Sequence, residues 1–142
     1  MHTILLPFDG SDASKRAIQF VADTYATHAA VKVHVLNVYE YPMYFTDYVN
    51  GATVQLMSDS LRMVSEKIVL DAAIPLQRLS IPHQLHTRQG LVAQVIAEQA
   101  EALACQSIVM GTRGMGALTG LLLGSVATRV IHLAKVPVTL VK

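Results

Sequence analysis

The chain has 142 residues, the length of one ordinary domain, so we expect a single domain over residues 1–142. Hydrophobic residues make up 52% of it and charged residues 15%, which excludes intrinsic disorder and indicates apolar surface covered by a partner subunit. The formal net charge of +1 offers no basic field for nucleic acid, so no nucleic-acid partner is expected. The N-terminus lacks the pattern of a signal peptide and no apolar run is long enough to cross a bilayer, so a cytoplasmic protein without a membrane segment is predicted.

Short apolar runs alternate with longer helical patterns, an arrangement typical of a parallel sheet with helices packed on it. The predicted strands are residues 3–8, 31–38, 83–88, 107–110 and 136–141. Spacing of three to four residues predicts the apolar faces of three helices, and a fourth helix is expected over about residues 125–134. These faces are Ala17, Ile18, Val21, Ala22 and Tyr25; Met57, Leu61, Val64, Ile68 and Ala72; and Leu91, Val95, Ile96 and Leu103.

Two features interrupt this alternation. A tyrosine-rich loop is expected from Tyr39 to about Thr53, as a lid over a ligand, a partner surface or a cover for the edge of the core. Pro75 is expected to kink or end the second helix, because proline lacks the amide and clashes with the preceding turn.

A glycine-rich segment follows the fourth predicted strand, where open parallel sheets bind their ligands. Residues 111–125 hold Gly111, Gly114, Gly116, Gly120 and Gly124 of the chain's 8 glycines. Glycine lets the backbone approach a ligand closely, and the N-terminus of the next helix attracts negative charge. Phosphate is therefore the predicted ligand group. The spacing is neither that of a Walker A loop, which needs Lys and Ser/Thr after its second glycine, nor that of a Rossmann fingerprint.

The spacing Gly111-x2-Gly114-x9-Gly124-Ser125 resembles the nucleotide-binding motif of the universal stress protein family, in its ATP-binding branch. The opening run into Pro7-Phe8-Asp9-Gly10-Ser11 and the closing Val136-Pro137-Val138 are similar to that family as well. The resemblance implies an α/β fold, Rossmann-like and similar to the adenine nucleotide alpha hydrolases. Its open five-stranded parallel sheet would have the order 3-2-1-4-5, with helices on both faces.

The resemblance also implies the ligand site. Pro7 and Asp9 would line the adenine and ribose end, with Val38 against the base. The phosphates would lie at the loop that begins at Gly111 and would be held by Gly114, Gly124, Ser125 and Val126. Arg113 would lie close to them. The cofactor would be ATP, with Mg²⁺ or Mn²⁺ bound through its phosphates and no metal site in the protein itself.

Several residues also have a simpler structural interpretation. Ser125 is expected to be the N-cap of the last helix besides meeting phosphate, Asp12 to be a cap, and Asp9 to be either a cap or a ligand residue. Cys105 is expected to be a small buried hydrophobe. No zinc spacing is present, so a structural role is expected for all six histidines: His2, His28, His34, His83, His86 and His132.

The functional expectation is an ATP-binding universal stress protein, a regulatory or stress-response module. It would dimerise through the edge strand Val136–Val141. The alternative is an adenine-nucleotide hydrolase or adenylating enzyme of the same superfamily. The glycine-rich loop holds neither a lysine for the γ-phosphate nor an acid to act as a base, so slow or absent ATP hydrolysis is expected. A nucleotide-free interaction protein would suit relatives that lack the glycine motif.

Overall fold

The structure, a computed structural model, describes residues 1–25, 30–41, 49–114 and 123–142. Strands and helices alternate along the described chain. The strands are β1 (His2–Pro7), β2 (Val31–Tyr39), β3 (His83–Gln89), β4 (Ser107–Gly111) and β5 (Val138–Val141). The helices are α1 (Asp12–Tyr25), α2 (Gly51–Arg78), α3 (Val92–Ala102) and α4 (Ser125–Leu133).

The five strands form one parallel sheet in the order β3-β2-β1-β4-β5, which confirms the predicted fold. The central strand β1 pairs with β2 on one side and with β4 on the other; Ile4, for example, lies opposite Val33 and Ser107. Because the strand order reverses at β1, a crevice opens between the carboxyl ends of β1 and β4.

Alternate residues of the strands feed two hydrophobic cores, one on each face of the sheet. On one face, β1 residues such as Ile4 and Leu6 pack with α1 and α2. On the other face, Leu5, Leu36 and Ile108 pack with α3 and α4. Both faces are therefore covered by helices, and the strand ends are held rigidly between two buried layers.

Pro75 does not end α2, which continues to Arg78. A proline inside a helix forfeits one backbone hydrogen bond. The helix continues because Ala73 and Leu76 on either side are buried against the sheet, and the amide of Leu79 still donates to the carbonyl of Pro75 at 3.2 Å. Tertiary packing thus outweighs the local penalty.

Other boundaries differ from the prediction by one or two residues. β1 lies one residue earlier than expected, and β2 includes Tyr39, which was assigned to the loop. Helix α2 begins at Gly51, because Asn50 caps it by accepting the amide of Thr53 at 2.9 Å. β5 begins at Val138 and not at residue 136, since Pro137 lacks an amide and contributes only its carbonyl, to the amide of Ile108.

Two residues predicted on buried helical faces are exposed. Val64 is 57% exposed because the buried face of α2 runs through Ser65, Val69, Ala72 and Leu76, and Val64 lies outside that face. Leu91 is 61% exposed because it is the extended N-cap residue of α3 and lies outside its apolar face. In the described part of the chain, no helix is both long enough and apolar enough to span a membrane.

Candidate functional site

A cavity of about 420 Å³ lies beyond the carboxyl ends of β1, β2 and β4, where ligands bind in open sheets. Its volume is within the range of small-molecule sites. The structure brings all nine predicted residues to this one cavity; their part in binding stays a prediction. They are Pro7, Asp9, Val38, Gly111, Arg113, Gly114, Gly124, Ser125 and Val126.

Nine further lining residues were not predicted, and six of them are apolar. These residues come from the carboxyl ends of β1, β2 and β4 and from the N-terminal parts of α1, α3 and α4, and most of them are core residues that also face the opening. They are Phe8, Ser14, Leu36, Asn37, Val92, Ile96, Met110, Thr112 and Ala127. Their only sequence signal is their place where a predicted strand ends or the next helix begins, since no motif distinguishes them from core residues. Gly116, Gly120, His28 and residues 42–48 of the expected tyrosine loop lie outside the described residues.

The three motif glycines each lie close to a different part of the protein. A Cβ at Gly111 would lie 2.7 Å from the Cβ of Ala13, so this glycine lets β4 approach α1. A Cβ at Gly114 would lie 2.6 Å from Oδ2 of Asp9. A Cβ at Gly124 would lie 3.2 Å from the carbonyl oxygen of Thr112. Each added Cβ would therefore meet protein atoms, and these glycines shape the loop itself.

The turn after β1 places Asp9 beside the loop that follows β4. Gly10 has a φ of +83°, a conformation that favours glycine, and the chain then turns so that the amide of Ser11 donates to Oδ1 of Asp9 at 3.0 Å. Ser11 accepts the amide of Ser14 through its hydroxyl oxygen at 3.2 Å. Ser11 therefore caps α1, and the expectation that Asp12 is the cap is wrong, because Asp12 is already the first helical residue.

Among the described residues, no side chain caps the N-terminus of α4. Gly124 is the N-cap residue, with extended backbone (φ −74°, ψ 158°), and its amide donates to the carbonyl of Thr112 at 2.7 Å. Ser125 is the first helical residue, so the prediction that it is the N-cap is wrong. Its exposed hydroxyl lies at the cavity instead. The first amides of a helix lack intrahelical partners and favour an anion, so this end of the cavity suits phosphate.

Charged groups are sparse around the cavity. Among the described lining residues, Asp9 is the one carboxylate and Arg113 the one cation, and Arg113 is exposed. Within the described ranges, no group of three or more His, Cys, Asp or Glu residues could hold a metal ion. A divalent cation in this cavity would therefore depend on the ligand's own oxygens for most of its coordination.

Histidine and cysteine chemistry lies away from the cavity. Nδ1 of His34 and Nε2 of His86 lie 2.8 Å apart across β2 and β3. Burial lowers the pKa of both rings below the usual 6.5, with a further contribution from Lys32 and His86 at His34 and from Arg88 and Lys32 at His86. Cys105 is buried, as predicted, and burial raises the pKa of its thiol to about 11, so it is a poor nucleophile.

Known proteins share this sequence pattern and fold. A universal stress protein of Thermus aquaticus, encoded in the QAH/OAS sulfhydrylase 3′ region, is 33% identical over 141 residues, which are 99% of this chain and 98% of that protein. The solved structure of the hypothetical protein MJ0577 superposes with a TM-score of 0.86 at 24% identity and covers 99% of this chain and 94% of that one.

Two further solved structures of similar fold contain a nucleotide. A universal stress protein family member from Arabidopsis thaliana, with AMP bound, has a TM-score of 0.73 at 15% identity, over 100% of this chain and 92% of that one. A universal stress protein in complex with cAMP has a TM-score of 0.69 at 21% identity, over 99% and 95%. The model of the universal stress protein family matches residues 1–142, and this chain therefore belongs to that family.

Proposed function

We propose that the cavity binds ATP and that the chain acts as a nucleotide-dependent regulatory module in a stress response. One observation carries the proposal: Gly114, Gly124 and the first turn of α4, which no described side chain caps, line the same cavity as the apolar side chains of Val38, Val92 and Ile96. An adenine nucleotide has matching halves, a flat apolar base and an anionic phosphate chain.

The proposed orientation follows from this polarity. The base lies between Val38 and the first turn of α3, where Val92 and Ile96 supply apolar surface, and the ribose lies by Pro7 and Asp9. The phosphates extend over the loop that begins at Gly111. They meet the guanidinium of Arg113 and the backbone of Gly114 and Gly124 there, and the hydroxyl of Ser125 and the backbone of Val126 at the start of α4.

The nucleotide-bound relatives support the ligand class. The AMP-bound and cAMP-bound proteins share the fold of this chain, and both ligands are adenine nucleotides. The triphosphate is proposed because Arg113, the one cation among the described lining residues, is exposed and can neutralise the additional charge of a longer phosphate chain. Mg²⁺ or Mn²⁺ would neutralise the phosphates and would be bound through them, with Asp9 as the nearest protein carboxylate.

We propose a cytoplasmic homodimer as the working form. β5 is an edge strand of the sheet, and its backbone groups on the outer side can pair with a second copy. The predicted contact is the segment 136–141, of which residues 138–141 are strand. Pairing of two such edges around a two-fold axis would cover the half-buried Val138 and Leu140.

Native mass spectrometry of the purified protein, followed by ATP titration with and without magnesium, tests the proposal. We expect an adenine nucleotide to co-purify and the stripped protein to bind ATP more tightly when magnesium is present. GTP, whose base differs only at its edge, is the matched control ligand. Absence of ATP binding by the folded protein would contradict the proposed site, and equal affinity for ATP and GTP would contradict the proposed preference for adenine.

A further inference from the structure

Asn37 is a buried polar residue where β1, β2 and α2 meet. It is 6% exposed, and its Nδ2 donates to the carbonyl oxygen of Phe8 at 2.7 Å. Its Oδ1 accepts the hydroxyl of Ser65 at 2.7 Å, and Ser65, on α2, is 1% exposed. Two short hydrogen bonds therefore connect one amide to the end of β1 and to a helix.

The bond to Phe8 replaces a missing backbone partner. The paired residues of β1 end at Pro7, opposite Leu36, and the amide of Phe8 makes the last contact with β2, to the carbonyl of Leu36 at 2.9 Å. Beyond that point the chain leaves the sheet. A buried carbonyl must still be paired, and the side chain of Asn37 supplies the donor that a strand would otherwise provide.

The carbonyl of Phe8 belongs to the peptide unit that leads into Asp9. Oδ1 of Asp9 accepts the amide of Ser11, and its Oδ2 lies 2.6 Å from the point where a Cβ of Gly114 would be. The peptide plane before a residue sets the direction in which its side chain leaves the backbone. The hydrogen bond from Asn37 to the carbonyl of Phe8 therefore holds the carboxylate of Asp9 against the segment that follows β4.

We propose that Asn37 is a positioning residue for the cavity: it holds the Phe8–Asp9 peptide so that the Asp9 carboxylate stays against Gly114. Its effect on nucleotide affinity rests on the proposed function, whereas its effect on the geometry of the turn does not. A residue that only stabilises the fold would lower the melting temperature and leave both the turn and the affinity unchanged.

Four variants separate these roles. Asn37→Ala removes the donor to Phe8 but also leaves the Ser65 hydroxyl unpaired. Asn37→Ala/Ser65→Ala removes that second defect, so it keeps the test valid if the single variant is too unstable. Ser65→Ala retains the donor to Phe8. Val33→Ala is the matched control, a fully buried residue on the same strand and the same face that does not line the cavity.

Two measurements follow, both well below the melting temperature of each variant. ATP titration reports the affinity, and the NMR shift of the Ser11 amide reports the position of the carboxylate that it donates to. We expect Asn37→Ala and the double variant to bind ATP roughly tenfold more weakly and to shift the Ser11 amide. We expect Ser65→Ala and Val33→Ala to stay within about threefold of the wild-type affinity and to leave that amide in place.

The two failures are distinguishable. If the wild type binds ATP but the Asn37 variants bind it as well as Val33→Ala does, the positioning role is refuted and the proposed function stands. If the wild type binds no ATP, the proposed function fails, and the NMR shift of the Ser11 amide alone tests the positioning role. A changed shift in the Asn37 variants supports that role, and an unchanged shift refutes it.

Discussion

Gly124→Ala is the sharpest test of the phosphate loop, because the substitution adds one carbon at a known place. The backbone of Gly124 has a φ of −74°, which alanine adopts without strain. The new Cβ would lie 3.2 Å from the carbonyl oxygen of Thr112 and 3.3 Å from Cα of Arg113. Both contacts are tighter than ordinary van der Waals distances, and both atoms are backbone, which cannot swing aside.

The Thr112–Arg113 segment must therefore move by a few tenths of an ångström away from α4. That movement stretches the 2.7 Å bond from the amide of Gly124 to the carbonyl of Thr112. Overpacking of this kind typically costs about 1–3 kcal/mol, partly offset by about 0.4–1 kcal/mol because alanine restricts the unfolded chain more than glycine does. Loss of one charge-assisted hydrogen bond to phosphate would weaken ATP binding by roughly tenfold to a hundredfold.

Isothermal titration calorimetry with ATP and magnesium measures the affinity, and melting of the nucleotide-free protein measures the stability. Gly51→Ala is the matched control, since a Cβ at Gly51 meets no atom within 4 Å and lies outside the cavity lining. We expect Gly124→Ala to lose affinity and Gly51→Ala to retain it. Wild-type affinity in folded Gly124→Ala, or the same loss in both variants, would refute the placement of phosphate at this loop.

Further predictions concern chemistry, assembly and pH. Ser125→Ala should weaken ATP binding by roughly tenfold or more without lowering the melting temperature of the nucleotide-free protein, because Gly124 and not Ser125 is the N-cap; a large drop in melting temperature would contradict this assignment. ATP hydrolysis should be slower than about 1 per second, since the described cavity offers only Asp9 as a base, and a faster turnover lost in Asp9→Asn would show an enzyme. Light scattering should show a dimer that Val138→Lys weakens, and a wild-type monomer at micromolar concentration would exclude the edge pairing. The lowered pKa of His34 and His86 means that the unfolded chain binds protons more readily than the folded one, so urea denaturation should show full stability above about pH 6.5 and a loss below it; His86→Gln should flatten that dependence, and an unchanged slope would contradict the assignment.

The strands and helices could be predicted from the sequence because the patterns that indicate them are local. Apolar runs such as residues 4–6 and 108–110 indicate buried strands. In the segments between the strands, apolar residues that recur every three to four positions indicate helices. The order of the strands came from resemblance to a family whose glycine spacing this chain reproduces. Element ends and buried faces were less certain, because packing decides them: α2 passes through Pro75 since Leu76 beyond it is buried, and Val64 is exposed because it lies outside the face of α2 that packs on the sheet.

At the site, the sequence by itself determined which segments meet, since the carboxyl ends of parallel strands share one edge. Only the tertiary structure decided what each residue contacts there. It showed that Gly111 faces α1, that Gly114 lies against Asp9, and that Ser11 caps α1. The bonds from Asn37 to Phe8 and to Ser65 span 29 and 28 residues of sequence, and no local pattern encodes them. Hydrophobic periodicity fixes which face of an element is buried, but hydrogen bonds between distant residues depend on distances that exist only once the elements have packed.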